Sequence, residues 1–222
     1  MHMIDTRDPR YFQRIKLWEK VSPEEWNDPV WQMRNVVTDA EGLAKVISLT
    51  DAEKAEIARA CQHSKFQATP YYLSLINEKN PECPIRMQAI PSIAELSPGL
   101  GDLIDPLGED ADSPVPRLVH RYPDRVLFLV SETCSMYCRF CTRRRHVLDR
   151  SSTQLTGEHD AAISYIEKNR QVRDVILSGG DALMLSVGML EGVVKRLRAI
   201  PHVEIIRVAS RTPCVFPMRV TE

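Results

Sequence analysis

The sequence has little net charge, no long apolar run and few glycines, and each shortage narrows the class of protein. The formal net charge of the 222 residues is −1, so the overall charge points neither to nucleic acid nor to a membrane surface. No apolar run approaches the length of a membrane span. Prolines outnumber glycines by 15 to 9, which indicates ordered, irregular connections rather than flexible linkers.

The N-terminus lacks the features of a secretory signal. Residues 1–5 include polar and charged positions where a signal peptide needs an apolar run. We therefore expect a cytoplasmic protein, in which the six cysteines do not form a disulfide framework. Cys61, Cys83 and Cys214 are most simply interpreted as small buried hydrophobic residues.

Three cysteines form the most informative motif of the chain. Cys134, Cys138 and Cys141 have C-x3-C-x2-C spacing and directly follow an apolar stretch. Thiolates are soft ligands that select iron–sulfur clusters, zinc or cuprous copper. Three cysteines would hold three irons of a cubane cluster and leave the fourth open to a small molecule. The motif predicts a reactive iron–sulfur centre, with zinc completed by His146 or Cys214 as the alternative.

The first part of the chain is predicted to be helical and to be followed by a proline-rich connection. Capping boxes at Ser22–Glu25 and Thr50–Glu53 open segments with apolar residues at helical spacing. Seven prolines interrupt any regular pattern between residues 80 and 119. We therefore expect a helical region over 1–79, a wrapping connection over 80–119 and a further domain over 120–222.

The remaining residues alternate between strand and helix patterns. We expect strands at Val126–Val130, Val172–Leu177 and Val203–Val208, the first of them buried on both faces. Helices are expected between them, over Asp160–Asn169 and Val187–Ile200. This order predicts a right-handed parallel α/β unit, whose ligands lie at the carboxyl ends of the strands.

Polar motifs follow all three predicted strands. The cysteines come after the first, Gly179, Gly180 and Asp181 after the second, and Ser210 after the third. Paired glycines allow the backbone to approach a ligand closely, and Asp181 can accept hydrogen bonds from an ammonium group. A tight turn at the glycines and a cap or turn role for Ser210 would explain the same residues without a ligand.

Arginines crowd the cysteine loop, at Arg139 and at Arg143–Arg145, and a second basic group at Arg121–Arg125 opens the first strand. A solvated basic loop, a nucleic-acid patch and an anion site are three interpretations. The confinement to one loop with few aromatics argues against nucleic acid. Guanidinium groups bind carboxylate or phosphate through paired hydrogen bonds, which favours an anion site. The sequence leaves open whether Arg125 points inward or outward.

The cysteine motif resembles that of radical S-adenosylmethionine enzymes, and longer strings resemble the lysine 2,3-aminomutase family. These strings are Trp26–Asp28, Pro70–Leu75, Asp112–Pro116, His120–Arg125, Cys134–Arg145, Leu177–Leu183 and Ser210–Pro213. The resemblance covers the chain from about Trp18. It implies an α/β fold, a partial (βα) barrel of the radical S-adenosylmethionine type, with its first three βα units present and a helical region before them.

The resemblance also implies a reaction and its cofactors. The reaction is the conversion of L-lysine to L-β-lysine by migration of the 2-amino group, which makes the enzyme an isomerase. The cofactors are a 4Fe-4S cluster, S-adenosylmethionine and pyridoxal phosphate. The reduced cluster would cleave S-adenosylmethionine to a 5′-deoxyadenosyl radical, which takes a hydrogen from C3 of lysine held on pyridoxal phosphate.

The family roles can be assigned to residues of this chain. The resemblance gives the cluster ligands as Cys134, Cys138 and Cys141. The residues implied near the methionyl amine of S-adenosylmethionine are Gly179, Gly180 and Asp181, and its adenosyl part would contact Ser210. Arg143 would pair with the substrate carboxylate, and the residues against pyridoxal phosphate would be Arg121, Tyr122 and Arg125.

Members of the family are about twice as long as this chain, so the resemblance implies a missing half that completes the barrel. That half would carry the lysine that binds pyridoxal phosphate, and we expect a fragment or a truncated reading frame. The alternatives are a glutamate 2,3-aminomutase or related aminomutase, and an inactive iron–sulfur-binding fragment. The family also suggests a homo-oligomer and an electron donor such as flavodoxin or ferredoxin, with no membrane or nucleic-acid partner.

Overall fold

The structure is a computed structural model that describes residues 5–80, 82–97, 99, 103–148 and 155–220, with side chains from 159 in the last range. The described residues fall into two compact units. The first unit lies within Met1–Asp102, Ser135–Cys141 and Pro213–Glu222, and the second within Leu103–Cys134 and Thr142–Thr212. The three-part division expected from the sequence stays a prediction. No helix in the described ranges is long and apolar enough to cross a membrane.

Short helices build the first unit. Their bounds are α1 Pro23–Asn27, α2 Pro29–Arg34, α3 Ala40–Ala44, α4 Asp51–His63, α5 Pro70–Ser74 and α6 Pro84–Ala89. Both predicted capping boxes are confirmed: the side chains of Ser22 and Thr50 accept hydrogen bonds from the amides three residues later. These caps satisfy amides that the first turn of a helix leaves without partners.

The helix expected after the first capping box is broken in two. It ends at Asn27, and Asp28 then accepts a hydrogen bond from the amide of Val30 at 2.8 Å to begin α2. Pro29 is the cause, because the residue before a proline avoids the helical conformation. Trp26 remains in the core and stacks on Phe12, with ring centroids 4.0 Å apart.

Part of the segment that was expected to be irregular has regular structure. Helix α6 and a 3-10 turn at Ile93–Leu96 lie in its first half. Its end enters a strand, β1 (Leu118–Tyr122), which the sequence did not predict. The polar His120 and Arg121 in β1 hide the apolar alternation that marks a strand.

A four-stranded mixed sheet forms the second unit. It consists of β1, β2 (Arg125–Ser131), β3 (Asp174–Gly179) and β4 (Ile205–Val208), in that spatial order. The pair β1–β2 is antiparallel and the other two pairs are parallel. The helices are α7 Arg144–Leu148, α8 Leu155–Lys168 and α9 Val187–Arg198, and α10 spans Thr212–Val215. The predicted α/β class, strands and helices are confirmed, while the partial barrel stays a prediction.

The two faces of the sheet differ in burial. Val126, Phe128 and Val130 of β2 are at most 1% exposed and join the core that includes Ile163 and Ile166 of α8. The residues that alternate with them, Arg125, Leu127 and Leu129, are only partly buried. The prediction that this strand is buried on both faces is therefore wrong. The less covered face is where the candidate site lies.

Candidate active site

A cavity of about 200 Å³ lies against the less covered face of the sheet in the second unit. Its apolar part is a row of side chains from three adjacent strands, because Val119 pairs with Leu127 and Leu127 pairs with Ile176. The lining also includes four residues predicted for the substrate and pyridoxal phosphate, Arg121, Tyr122, Arg125 and Arg143. The fold thus brings residues from both basic segments to one cavity with apolar and cationic walls.

Arg143 meets a carboxylate in this cavity. Its Nε donates to Glu109 Oε1 at 3.1 Å and to Oε2 at 3.0 Å, and its Nη2 donates to Oε1 at 2.5 Å. The side chains are 20% and 7% exposed, respectively, so this ion pair is largely shielded from water. Glu109 is a residue of the site to which the sequence analysis gave no role, and its neighbours Asp110 and Asp112 make the segment acidic.

The other two arginines of the cavity also contact carboxylates. Arg121 donates through Nε to Asp112 Oδ2 at 2.6 Å, and this hydrogen bond raises the pKa of the guanidinium. Arg125 donates to Asp174 Oδ2 at 2.9 Å, and Asp174 is fully buried and also binds Arg207 at 2.8 Å. Arg125 is among the residues that line the cavity. Tyr122 is exposed at the cavity edge.

Asp181 joins the ends of β3 and β4. Its Oδ1 accepts from Leu183 N at 2.9 Å and Ser210 Oγ at 2.6 Å. Its Oδ2 accepts from Arg211 N at 2.8 Å and Thr212 N at 3.0 Å. Both oxygens of this buried carboxylate are therefore engaged by the chain itself. A contact of Asp181 with an ammonium group stays a prediction, and the observed partners include the predicted residue Ser210.

The paired glycines pack against the segment that leaves β2. A Cβ added at Gly179 would lie 2.2 Å from Ser131 O, and one added at Gly180 would lie 2.6 Å from Thr133 O. Gly179 also has a φ of 115°, which L side chains rarely adopt. The amide of Gly180 donates to Ser131 O at 2.6 Å. The glycines thus permit a close approach between two backbone segments. Their contact with a ligand stays a prediction.

The three motif cysteines form no disulfide and are half-buried. Cys134 belongs to the second unit, and Cys138 and Cys141 belong to the first, where Cys141 N donates to Cys138 O at 3.2 Å. No group of three or more His, Cys, Asp or Glu side chains in the described ranges is arranged to hold a metal ion. Their role as cluster ligands therefore stays a prediction, which the soft thiol donor set suits.

Arg139, between the second and third cysteines, anchors that part of the loop within the first unit. Its amide donates to Gln88 O at 3.0 Å, and its guanidinium donates to Ser64 Oγ at 2.6 Å and binds the carboxylate of Glu95. The side chain is 8% exposed. Arg139 is therefore not part of a solvated basic loop, and its charge is already paired with a carboxylate.

Part of the chain matches a known protein family. Residues 124–209 match the family described as 4Fe-4S single cluster domain. The matched range includes all three cysteines of the C-x3-C-x2-C motif.

Curated proteins that are similar to this chain include named aminomutases. The chain is 51% identical to the L-lysine 2,3-aminomutase of Fusobacterium nucleatum over 94% of this chain and 49% of that protein. The L-lysine 2,3-aminomutase of Clostridium subterminale is also 51% identical, over 94% of this chain and 50% of its own length. The glutamate 2,3-aminomutase of Clostridioides difficile is 39% identical over 90% and 47%, respectively. The chain is a homologue of the lysine 2,3-aminomutases and spans about half the length of these curated relatives.

Proposed function

We propose that this chain carries the cluster-binding and cofactor-binding half of an aminomutase that converts L-lysine to L-β-lysine. The observation that carries the proposal is the single cavity lined by Arg143, Arg121, Tyr122 and Arg125. These are the residues that the family resemblance assigns to the substrate carboxylate and to pyridoxal phosphate. Identity of about half of the residues to lysine 2,3-aminomutases supports the same reaction.

The proposed cluster ligands are Cys134, Cys138 and Cys141. None of the three is in a disulfide and all three are partly exposed, and thiolates are ligands that iron–sulfur clusters favour. When bound, the cluster with S-adenosylmethionine supplies the one-electron chemistry that begins the reaction, and pyridoxal phosphate carries the migrating nitrogen. Three ligands leave a coordination position for S-adenosylmethionine.

S-adenosylmethionine would lie at the carboxyl ends of the parallel strands, near Gly179, Gly180, Asp181 and Ser210. We propose that Asp181 acts there by fixing the β4 exit, since it already accepts a hydrogen bond from Ser210 and from two amides beyond it. The glycines would hold the β2 and β3 exits close together. Both effects shape the edge of the sheet at which ligands of such folds bind.

Substrate and pyridoxal phosphate would share the cavity. The lining suits an anionic ligand with a flat ring, because it combines arginines with the apolar row Val119, Leu127 and Ile176. Arg143 would bind the substrate carboxylate, while Arg121, Tyr122 and Arg125 would face the cofactor. The lysine that binds pyridoxal phosphate in the family has no assigned counterpart in this chain.

A glutamate 2,3-aminomutase is the second candidate, because the Clostridioides difficile protein of that name is similar across 90% of this chain. The higher identity to the lysine enzymes favours lysine. We further propose a cytoplasmic homo-oligomer that receives electrons from a flavodoxin or ferredoxin and binds neither membrane nor nucleic acid. These partners follow from the family resemblance.

Electron paramagnetic resonance tests the proposal. The protein is reconstituted anaerobically with iron and sulfide, reduced, and measured with and without S-adenosylmethionine. We expect the signal of a reduced cubane cluster that changes when S-adenosylmethionine is added, because an open iron would bind it directly. Failure to take up iron, or a signal indifferent to S-adenosylmethionine, would contradict the proposed site.

A further inference from the structure

Glu109 is a carboxylate of the cavity to which the family resemblance gives no role. It lines the cavity beside Arg143, and its side chain is 7% exposed. All of its side-chain hydrogen bonds in the described ranges go to that one guanidinium. A buried carboxylate whose side-chain hydrogen bonds all go to one arginine either blocks ligand binding to that arginine or orients its guanidinium.

The geometry of the pair leaves part of the guanidinium available. Glu109 occupies Nε and Nη2, which form one edge of the planar group. The Nη1 group has no hydrogen-bond partner in the part of the chain that the structure describes. A second carboxylate can therefore bind the Nη1–Nη2 edge through two parallel hydrogen bonds while Glu109 keeps the first edge.

The backbone around Glu109 is fixed as well. Ser113 Oγ donates to Glu109 O at 2.7 Å, so the residue is held on both its main chain and its side chain. The following residue, Asp110, binds Arg145 Nη2 at 2.8 Å. Arg121 binds Asp112 at 2.6 Å two residues further on. The carboxylate of Glu109 thus approaches Arg143 from an anchored segment.

Electrostatics distinguishes orientation from blocking. If a ligand carboxylate displaced Glu109, that buried carboxylate would lose all the side-chain hydrogen bonds that it has within the described ranges, and a buried charge without hydrogen bonds is strongly unfavourable. Glu109 therefore keeps its contact when the ligand binds. We propose that Glu109 is a positioning residue that holds Arg143 so that its Nη1–Nη2 edge receives the α-carboxylate of the amino-acid substrate. The inference rests on the proposed function, in which Arg143 binds that carboxylate.

Calorimetric titration of the chain with L-lysine and with L-lysinamide tests the inference. The amide keeps both amino groups of lysine and removes only the carboxylate charge. We expect the wild type to prefer L-lysine, and Glu109→Gln to lose about tenfold in affinity for L-lysine, as expected when a charge-assisted bidentate contact is misaligned. Affinity for L-lysinamide should stay within about twofold, because it does not use the oriented edge.

Two further variants separate orientation from folding. Asp110→Asn removes a neighbouring carboxylate that is 68% exposed and bound to Arg145, so it should leave both affinities unchanged. Glu109→Asp keeps the charge, so it should lose less affinity for L-lysine than Glu109→Gln and keep part of the preference for L-lysine. This variant keeps the test decisive even if Glu109→Gln folds poorly. Circular dichroism melts identify a variant that fails to fold. The Arg143 Nε–Hε resonance, assigned with Arg143→Lys, should shift in Glu109→Gln and stay in place in Asp110→Asn.

The outcomes distinguish this inference from the function on which it rests. If Arg143→Gln removes the preference for L-lysine and folded Glu109→Gln keeps it, the positioning role is overturned and the role of Arg143 stands. If the wild type does not prefer L-lysine to L-lysinamide, the proposed role of Arg143 falls and the positioning role falls with it. An Arg143 resonance that ignores Glu109→Gln also overturns the inference.

Discussion

Substitution of Asp181 should destabilise the second unit more than it changes any ligand contact. The carboxylate is 6% exposed and accepts four hydrogen bonds, three of them from backbone amides. Asp181→Ala removes the acceptor of all four hydrogen bonds, and of these donors Thr212 N keeps an alternative acceptor, Ser210 Oγ at 3.0 Å. The expected primary effect is therefore a fall in the free energy of unfolding.

The size of that fall can be worked from the contacts. An orphaned buried donor costs about 1–3 kcal/mol, and such costs are not additive within one network. A hydrogen bond to a charged group contributes about 1.5–3 kcal/mol, and Asp181 accepts four. We therefore expect Asp181→Ala to lower the free energy of unfolding by about 3–5 kcal/mol. That is a large share of the roughly 5–15 kcal/mol of a typical domain.

Urea unfolding followed by far-ultraviolet circular dichroism provides the assay. All three tryptophans, Trp18, Trp26 and Trp31, belong to the first unit, so intrinsic fluorescence does not directly report on the unit that contains Asp181. Ser210→Ala, which removes only one of the four donors, should cost about 1 kcal/mol. Asp181→Asn should fall between the two, because the amide keeps one acceptor oxygen.

A small loss of stability in Asp181→Ala would refute this reasoning. If Asp181→Ala lowers the free energy of unfolding by less than about 1 kcal/mol, the four hydrogen bonds do not tie the strand ends together. If it also weakens S-adenosylmethionine binding while Ser210→Ala does not, Asp181 contacts that ligand directly. The sequence-based expectation of an ammonium contact would then be preferred to the network described above.

Three other perturbations test separate features. In the same urea assay, Gly179→Ala should lower the free energy of unfolding by about 3 kcal/mol or more, because its Cβ would lie 2.2 Å from Ser131 O. Gly192→Ala in α9 is the control. Its Cβ would meet nothing within 4 Å, so it should raise the free energy of unfolding by about 0.5–1 kcal/mol. Cys138→Ser should reduce iron bound per chain after reconstitution, and the exposed Cys214→Ser should not; equal iron in both would remove Cys138 from the ligands. Glu53 accepts a hydrogen bond from Thr50 N, which lowers the pKa of the Glu53 carboxyl. The stabilisation of α4 by Glu53 is therefore complete above the ordinary glutamate pKa. It is lost as the pH falls through the lowered pKa. Glu53→Gln should therefore lose about 1 kcal/mol at neutral pH and converge with wild type in acid, while Glu56→Gln serves as the control on the same helix.

Local signals in the sequence predicted much of this fold correctly. The capping box at Thr50 depends on residues three apart, and the helix α4 begins there as expected. Strand β2 carries a continuous apolar run, Val126–Val130, which can be read without knowledge of distant partners. The break at Pro29 has a local signal, the proline itself, but the helical spacing of the apolar residues on both sides of it predicts one continuous helix. Strand β1 was not predicted because its sequence is partly polar. It is stabilised by its pairing with β2, which the sequence of β1 does not reveal.

The partners of charged residues could not be predicted from the sequence. Glu109 and Arg143 lie 34 positions apart, and Asp174 and Arg125 lie 49 apart. A run of acidic residues and a run of arginines are each compatible with solvated surface when read separately. Only the fold shows that they meet. The same holds for Asp181, whose type suggested a ligand contact and whose observed partners lie up to 31 positions away.

That pairing bears on what the arginines recognise. Arg121, Arg125 and Arg143 each contact a carboxylate, which reduces the positive charge that the cavity offers to a polyanion. Binding to nucleic acid depends chiefly on unpaired cations that release counterions, and these arginines are poorly placed for it. A paired guanidinium still has a free edge with directed N–H groups. Such an edge selects small planar anions by geometry rather than by net charge, and we infer that the cavity discriminates carboxylate and phosphate ligands in this way.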